Sequence, residues 1–406
     1  MTAPVLRFKV DGSSYPSWNE IKLKDCVNFS KGGTLSKTDL NPQGDVPCLL
    51  YGELYTTYGE VANSVISKTN RTADLVKSHK NDVLLPMSGE TAEDIAKATC
   101  VLQEGVAYGG DLMVMRSNSL NGSFLSYSLN SVNRRKISRI AQGKTVVHIN
   151  SSRVSEISIN VPRLDEQQKI AAFFTTLDEK ILLIDKTIAS LNNLKHGLMD
   201  CLFKRRVRFN GKDGTTFGKW RLSTIGAEGT FYYGKSAPKW SLSDTATTPC
   251  IRYGDLYTKH EYVVKAVDTY TEIEREKLVF SKGGEVLVPR VGEDPLDFCK
   301  CAYLPMKNIA IGEMISVYET DNDGLYISYY FNSQMKKTFA KYVEGGNVSN
   351  LYYTYLEGIE LEVPTIDEQM KISDFLSVLI EKIDVNKNKK ENYIRLKRAF
   401  MQQMFV

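Results

Sequence analysis

The sequence is short of the residues and runs that metal, redox or membrane chemistry would use. No stretch approaches the roughly 18 consecutive apolar residues of a membrane span, so no membrane-spanning helix is expected. Met1-Thr2-Ala3-Pro4-Val5-Leu6-Arg7 has neither a long apolar core nor a small-residue cleavage site, which argues against a secretory signal and for a cytoplasmic protein. There are only four histidines. The seven cysteines (Cys26, Cys48, Cys100, Cys201, Cys250, Cys299, Cys301) are an odd number, scattered and without a Cys-x-x-Cys pair. They read as reduced, mostly buried thiols rather than a zinc site or a disulfide framework. No Gly-x-Ser-x-Gly elbow, His-Glu-x-x-His helix or dinucleotide fingerprint stands in a suitable context. The expectation is a chain without catalysis, metal or cofactor of its own.

One phosphate-binding pattern does match: Gly229-Thr230-Phe231-Tyr232-Tyr233-Gly234-Lys235-Ser236 fits G-x-x-x-x-G-K-[ST]. A phosphate loop needs small residues so that backbone N–H groups can converge, and a helix directly after the Lys-Ser. Here the variable positions are bulky, and Pro238 biases Ala237 away from helix. No nucleotide site is expected. The net charge of +4 permits nucleic-acid binding without indicating it.

What the sequence does have is a copy of itself. At 406 residues it is too long for one ordinary core. Shifted by 202 residues, Pro47-Cys48-Leu49-Leu50-Tyr51-Gly52-Glu53-Leu54-Tyr55-Thr56 falls on Pro249-Cys250-Ile251-Arg252-Tyr253-Gly254-Asp255-Leu256-Tyr257-Thr258. Asp11 to Trp18 falls on Asp213 to Trp220, and Ile157 to Pro162 on Ile359 to Pro364. Asp165-Glu166-Gln167 falls on Asp367-Glu368-Gln369, with a one-residue slip between, where Val83-Leu84-Leu85-Pro86 meets Val286-Leu287-Val288-Pro289. Ordered blocks in nearly one register make the chain a tandem duplication, far longer than a solenoid repeat.

Each copy has the same plan. Ile-x-Ile-x-Val and Ile-x-Leu-x-Val alternate with period two, as half-buried strands do, and the following Pro ends them. A helix should start next, with Asp165 and Gln168 forming a capping box in the first copy and Thr365 and Glu368 in the second. Ile170, Phe174, Leu177, Ile181, Ile184, Ile188, Leu191, Leu198 and Leu202 then recur at steps of four and three, broken only by Lys195. That is a coiled-coil seam on a helix roughly 55–60 Å long. The second copy repeats it with Ile372, Leu376, Leu379, Ile383, Tyr393, Phe400 and Met404, but Asn386, Lys390 and Lys397 interrupt it, so a weaker distal half is expected. Two exposed apolar stripes on tandem units are most economically buried by antiparallel pairing. Residues 20–160 and 221–362 mix short alternating runs with Gly, Asn and Ser turns and read as strand-rich domains with a few helices. The fold class is therefore α+β: a duplicated strand-rich α/β domain, each followed by a long helix, the helices pairing as an antiparallel coiled coil. The segments are 1–19, an N-terminal stretch; 20–162, the first domain; 163–205, the central helix; 206–220, a basic linker; 221–364, the second domain; and 365–406, the C-terminal helix.

Basic residues cluster beside aromatic and hydroxyl residues at corresponding places. Tyr127, Asn130, Ser131, Arg134, Arg135, Lys136 and Arg139 lead to Gln142-Gly143-Lys144; Tyr329, Asn332, Ser333, Lys336, Lys337 and Lys341 lead to Gly345. Lys and Arg would meet phosphates, and Asn, Gln or Arg base edges. The candidate DNA contacts are Lys31, Thr34, Tyr55, Arg134, Arg135, Lys136, Arg139 and Lys144 in the first copy, and Lys235, Ser236, Tyr257, Arg290, Lys336, Lys337 and Lys341 in the second. Two similar modules with a helix-fixed separation are what a reader of two half-sites requires.

Val161-Pro162-Arg163-Leu164-Asp165-Glu166-Gln167-Gln168-Lys169-Ile170 and Val363-Pro364-Thr365-Ile366-Asp367-Glu368-Gln369-Met370-Lys371-Ile372 each resemble the "P-P-L-x-E-Q-x-x-I" opening of the long helix in type I restriction-modification specificity subunits. Arg163 and Thr365 depart from that pattern by replacing its second Pro. Gly234-Lys235-Ser236-Ala237-Pro238 is similar to the family's "G-x-T-P" turn, and its counterpart Gly32-Gly33-Thr34-Leu35 lacks the Pro. The resemblance covers nearly the whole chain. It implies two target-recognition domains, each reading half of an asymmetric bipartite site in double-stranded DNA. It also implies helices that dock two methyltransferase subunits, joined by nuclease-translocase restriction subunits. Chemistry, with S-adenosylmethionine, ATP and Mg²⁺, would lie in those partners, and no membrane is involved. The other reading is a tandem-repeat scaffold that recruits partners through its helices without touching DNA; salt-dependent duplex binding separates the two.

Overall fold

The computed structural model describes residues 4–10, 12–143, 146–211, 213–346 and 349–406. Lys144 and Lys212 of the basic segments lie outside these described residues. The chain divides into two compact units, Met1–Lys186 with Lys387–Val406, and Thr187–Asn386.

In the first unit a five-stranded sheet runs in the order Asn28–Lys31, Leu112–Arg116, Asp82–Pro86, Thr99–Val101, Val61–Ala62. Asp82–Pro86 is central and buried throughout, which is why it reads as a continuous apolar run rather than an alternating one. Its side chains serve two cores: Val83 and Leu85 pack with Met113 and Met115, while Leu84 faces Val101, Leu112 and Val114 on the opposite side. Ala107–Tyr108, Val46–Leu49 and Lys68–Thr69 form a second, three-stranded sheet. The period-two strand Ser158–Val161 buries Ile159 and Val161 and pairs antiparallel with Asn19–Lys22.

The second unit repeats this order. Gly229–Tyr233, Ile315–Thr320, Glu285–Pro289 and Ala302–Leu304 form its main sheet, with Tyr270–Thr271, Thr248–Ile251 and Ala310–Ile311 beside it as a three-stranded one. Arg221–Thr224 pairs with Glu360–Val363 as its counterpart does. The stretch that matches a phosphate loop on paper is thus a β-strand ending in a turn.

Two long helices follow the strands, Leu164–Phe203 and Ile366–Met404. Each contributes to both units, because residues 164–186 belong to the first and 187–203 to the second, and conversely for 366–386 and 387–404. Within the first unit, Ile170, Phe174 and Leu177 share a core with Trp18, Phe124, Tyr127, Met401, Met404 and Phe405. Asp178 pairs with Lys397 and Asp185 with Lys390, so numbering rises by seven on one helix as it falls by seven on the other. The helices are antiparallel there. Within the second unit, Ile372, Leu376 and Ile380 share a core with Met199, Leu202, Phe203, Trp220 and Tyr326. A shift of 202 turns one set into the other: Trp18 into Trp220, Phe174 into Leu376, and Met199 and Phe203 into Met401 and Phe405. Each unit is therefore completed by the end of the other copy's helix. Of the remaining seam residues, Ile184, Leu379 and Ile383 are buried, while Ile181, Ile188 and Leu191 are half-buried.

Three details differ from the expectations above. Neither capping box forms. The central helix starts at Leu164, which puts Asp165 inside its first turn, 3.4 Å from Arg163. Thr365 does precede its helix, but both oxygens of Glu368 are taken by Arg208 and Trp220, a buried ion pair that the side chain prefers to an exposed cap. The lysines that interrupt the seam are also absorbed: Lys195, only 2% exposed, pairs with Glu261 at 2.5 Å and lies over the Tyr262 ring. The distal half of the second helix still packs through Tyr393, Phe400, Met401 and Met404, since Lys390 and Lys397 find acidic partners. Finally, Tyr127 and Tyr329 are buried tethers rather than surface aromatics; Tyr127 donates to Asp178 at 2.7 Å, and Tyr329 bonds Ser377 at 3.0 Å. Asn130 and Asn332 likewise donate to the backbone carbonyls of Ala98 and Cys301.

Candidate nucleic-acid interface

In each unit the strand after the repeated Val-Leu-x-Pro block opens a hub near which several of the candidate residues lie. In the first unit it is Ser88–Gly89, paired antiparallel with Val147–His148; in the second it is Val291–Gly292, paired with Ser349–Asn350. A tyrosine anchors each hub. Tyr55 donates its hydroxyl to the Ser88 carbonyl at 2.6 Å, and Tyr257 donates to the Val291 carbonyl at 3.0 Å. Burial pushes both phenols above their ordinary value, with Asp94 and Asp297 the next contributors in size. Their hydroxyl hydrogens are committed to the backbone, so these two tyrosines hold the frame of each hub.

The basic residues lie on short helices beside the hub. Arg134, Arg135, Lys136 and Arg139 are all exposed on Arg134–Ile140. Arg134 donates to the Glu93 carbonyl at 3.0 Å and Lys136 to the Ser158 carbonyl at 2.7 Å. Among the described residues no hydrogen bond or ion pair holds Arg135 or Arg139. Lys336 and Lys337 are exposed on Lys336–Ala340, and Lys341 is exposed just after it. Lys336 borders a cavity with Tyr257, Lys259, His260 and Lys300, where Lys300 lies over the Tyr257 ring. Burial lowers the His260 imidazole below its ordinary value, so it adds little charge to that basic wall near neutral pH.

Lys31 and Thr34 are exposed at the end of Asn28–Lys31 and in the turn after it. In the second unit the same place holds Tyr233, then the turn Gly234-Lys235-Ser236-Ala237-Pro238 with Lys235 exposed. Ser236 and Ala237 both adopt left-handed backbone conformations, φ 63° and 57°, which non-glycine residues hold only where surrounding structure forces it. Trp240, two residues past Pro238, is 80% exposed, and the sequence reading passed over it. Its flat apolar face beside Lys239 suits stacking on a base or sugar.

The second hub carries a feature with no counterpart in the first. Arg290 lies against both Tyr233 and Tyr352, its guanidinium 4.6 Å and 5.3 Å from the two ring centres. Tyr352 contacts Tyr355, and Tyr355 stacks on Tyr342, which adjoins Lys341. A line of tyrosines thus joins Arg290 to the basic segment. At the equivalent positions the first unit has Met87, Lys31, Asn150, Arg153 and Ile140. Its own hub instead presents Ser88, whose hydroxyl bonds His148 Nδ1 at 3.1 Å. The frames match and the polar side chains on them do not.

Comparisons with known proteins agree with this architecture. The family model described as "Type I restriction modification DNA specificity domain" matches residues 16–193 and 229–395. The chain is 24% identical over 324 residues to a putative type I restriction enzyme MjaX specificity subunit of Methanocaldococcus jannaschii, covering 75% of this chain and 72% of that one. It is 21% identical over 418 residues to the type I restriction enzyme MjaVIII specificity subunit of the same organism, covering 96% and 92%. A crystal structure of a type I restriction-modification S subunit from M. genitalium superposes with TM-score 0.66 at 14% identity over 100% of this chain and 99% of that one. A chain from a study of complex assembly and conformational transition of the type I R-M system gives 0.55 at 15% identity, over 96% and 98%. Among the described residues no helix is long and apolar enough to cross a membrane, and no cluster of His, Cys, Asp and Glu could hold a metal.

Proposed function

The chain belongs to the type I restriction-modification DNA specificity family, and from that premise we propose that it reads an asymmetric bipartite site in double-stranded DNA, one half-site per unit, as a non-catalytic adaptor. The carrying observation is the pair of hubs: the same tyrosine anchor and short basic helix in each unit, but Ser88 and His148 on one and Arg290, Asn350 and a line of tyrosines on the other. Like frames with unlike polar surfaces suit half-sites of unlike sequence. Exposed Lys and Arg on the helices supply phosphate contacts that set register, and hub side chains supply base contacts.

Partners dock on the helices in this reading. On the C-terminal helix, Ile366, Met370, Val378 and Val385 are exposed although apolar, on a side distinct from the buried Ile372, Leu376, Leu379 and Ile383. Such a second stripe fits a protein partner. Two methyltransferase subunits would use it, with restriction subunits joining them; S-adenosylmethionine, ATP and Mg²⁺ act in those subunits, in the cytoplasm.

The test is base-modification mapping in cells with and without this gene. One motif made of two short half-sites around a fixed unspecified gap is expected to lose methylation. Exchange of residues 20–162 for those of another family member is expected to change one half-site alone. An unchanged map in cells that express the methyltransferase, or a change in both halves on exchange, overturns the reading.

A further inference from the structure

Arg290 departs from the usual surroundings of a buried guanidinium. A guanidinium inside a fold ordinarily meets a carboxylate or backbone carbonyls, because leaving its donors unmet is costly. Here Nε is buried without a hydrogen-bond partner, and among the described residues no acidic side chain pairs with the group. Two tyrosine rings lie against it instead, their centres 4.6 Å and 5.3 Å from its central carbon, which restricts its movement. The backbone on both flanks is pinned as well: Arg290 N donates to the Met314 carbonyl and its carbonyl accepts from Leu351 N. The backbone is thus pinned and the guanidinium packed against two rings while its donors stay unmet, an arrangement suited to presenting a flat, directional pair of N–H groups to a ligand.

We propose that Arg290 reads a guanine in the half-site of the second unit, presenting its two terminal nitrogens end-on to O6 and N7 in the major groove. Burial of Nε rules out the side-on approach and leaves the Nη1 and Nη2 edge. That edge matches the two acceptors which guanine alone presents side by side in the major groove. A phosphate would also accept the fork, but an exposed, mobile side chain serves a phosphate equally well and needs no clamp. Met87 stands at this position in the first unit, so the guanine contact belongs to one half-site only. The inference rests on the reading that the chain binds a bipartite DNA site.

The experiment uses the full chain with its methyltransferase partner and a duplex carrying the motif found by modification mapping. Each guanine of the half-site assigned to residues 221–364 is replaced in turn by 7-deazaguanine, which lacks only the N7 acceptor. One position is expected to weaken wild-type binding by about fivefold or more, within the roughly 5- to 150-fold that a bidentate contact contributes. Arg290→Gln and the charge-retaining Arg290→Lys are expected to bind the unmodified duplex more weakly and to lose that sensitivity. An unchanged melting temperature and an unchanged circular-dichroism spectrum show that each variant is folded. The proposal is overturned if the half-site holds no guanine, or if both variants weaken binding uniformly and keep the wild-type response to 7-deazaguanine, the mark of a phosphate contact. Absence of any sequence-dependent binding by the wild type would instead sink the bipartite-site reading on which it stands.

Discussion

Glu368 is about 1% exposed and carries three hydrogen bonds: from Arg208 Nε at 2.9 Å, Arg208 Nη2 at 2.7 Å and Trp220 Nε1 at 3.0 Å. Glu166 takes the same role in the first unit, accepting both Nε and Nη2 of Arg7 at 3.0 Å and 2.7 Å. A carboxylate so placed is tolerable only with its cation present. Arg208→Met is therefore expected to cost about 3–5 kcal/mol of unfolding free energy, read from urea denaturation, whereas loss of an exposed pair costs under about 1 kcal/mol. A loss below about 1 kcal/mol would show that water reaches Glu368. The neighbouring glutamines are equally structural: Gln167 and Gln369 each donate to the preceding Pro carbonyl and accept from Asn121 N and Asp323 N. The repeated Asp-Glu-Gln is plain in the sequence, but its role is not. Local spacing suggests helix caps, while Arg208 approaches Glu368 across 160 positions, a contact no window-based pattern contains.

The long helices were the most legible elements, because an apolar period of 3.5 over forty residues has one sensible reading. What the period could not show is that the polar breaks are partnered. Lys397 sits between Glu60 and Asp178, at 2.6 Å from each, where the first unit joins the two helices. Asp178 also accepts from the Tyr127 hydroxyl, yet its carboxyl lies above the ordinary value, chiefly because it is buried and despite the pull of Lys397. A raised carboxyl pKa means that the folded chain holds the proton more tightly than the unfolded one, so ionised Asp178 is a cost present at neutral pH and relieved on acidification. Lys397→Met removes the compensating charge. It is expected to destabilise by about 2 kcal/mol at neutral pH, less than a fully buried pair would cost, and the deficit should shrink as pH falls through the carboxylate range. Chemical denaturation at several pH values checks this; a deficit independent of pH would mean that lost packing of the lysine stem, not charge, is responsible.

At the scale of the whole molecule the duplication explains why each unit needs the other copy. Met401 and Phe405 fill in the first unit the places that Met199 and Phe203 fill in the second, so neither copy alone contains a complete core. The sequence disclosed the repeat and the pairing sense; it did not disclose that Tyr55 and Tyr257 anchor the hubs, since their hydroxyls reach backbone carbonyls more than thirty positions away. Both helices pass without interruption from the residues of one unit to those of the other. If the site is bipartite as proposed and that continuity sets its gap, seven residues inserted in each helix, between 186 and 187 and between 386 and 387, keep the apolar period and add about 10 Å of helix. At roughly 3.4 Å per base pair the unspecified gap in the methylated motif is then expected to lengthen by about three base pairs with both half-sites unchanged. Mapping the motif of the inserted variant decides it: a gap of the original length would mean that something other than these helices, such as a partner subunit, sets the spacing.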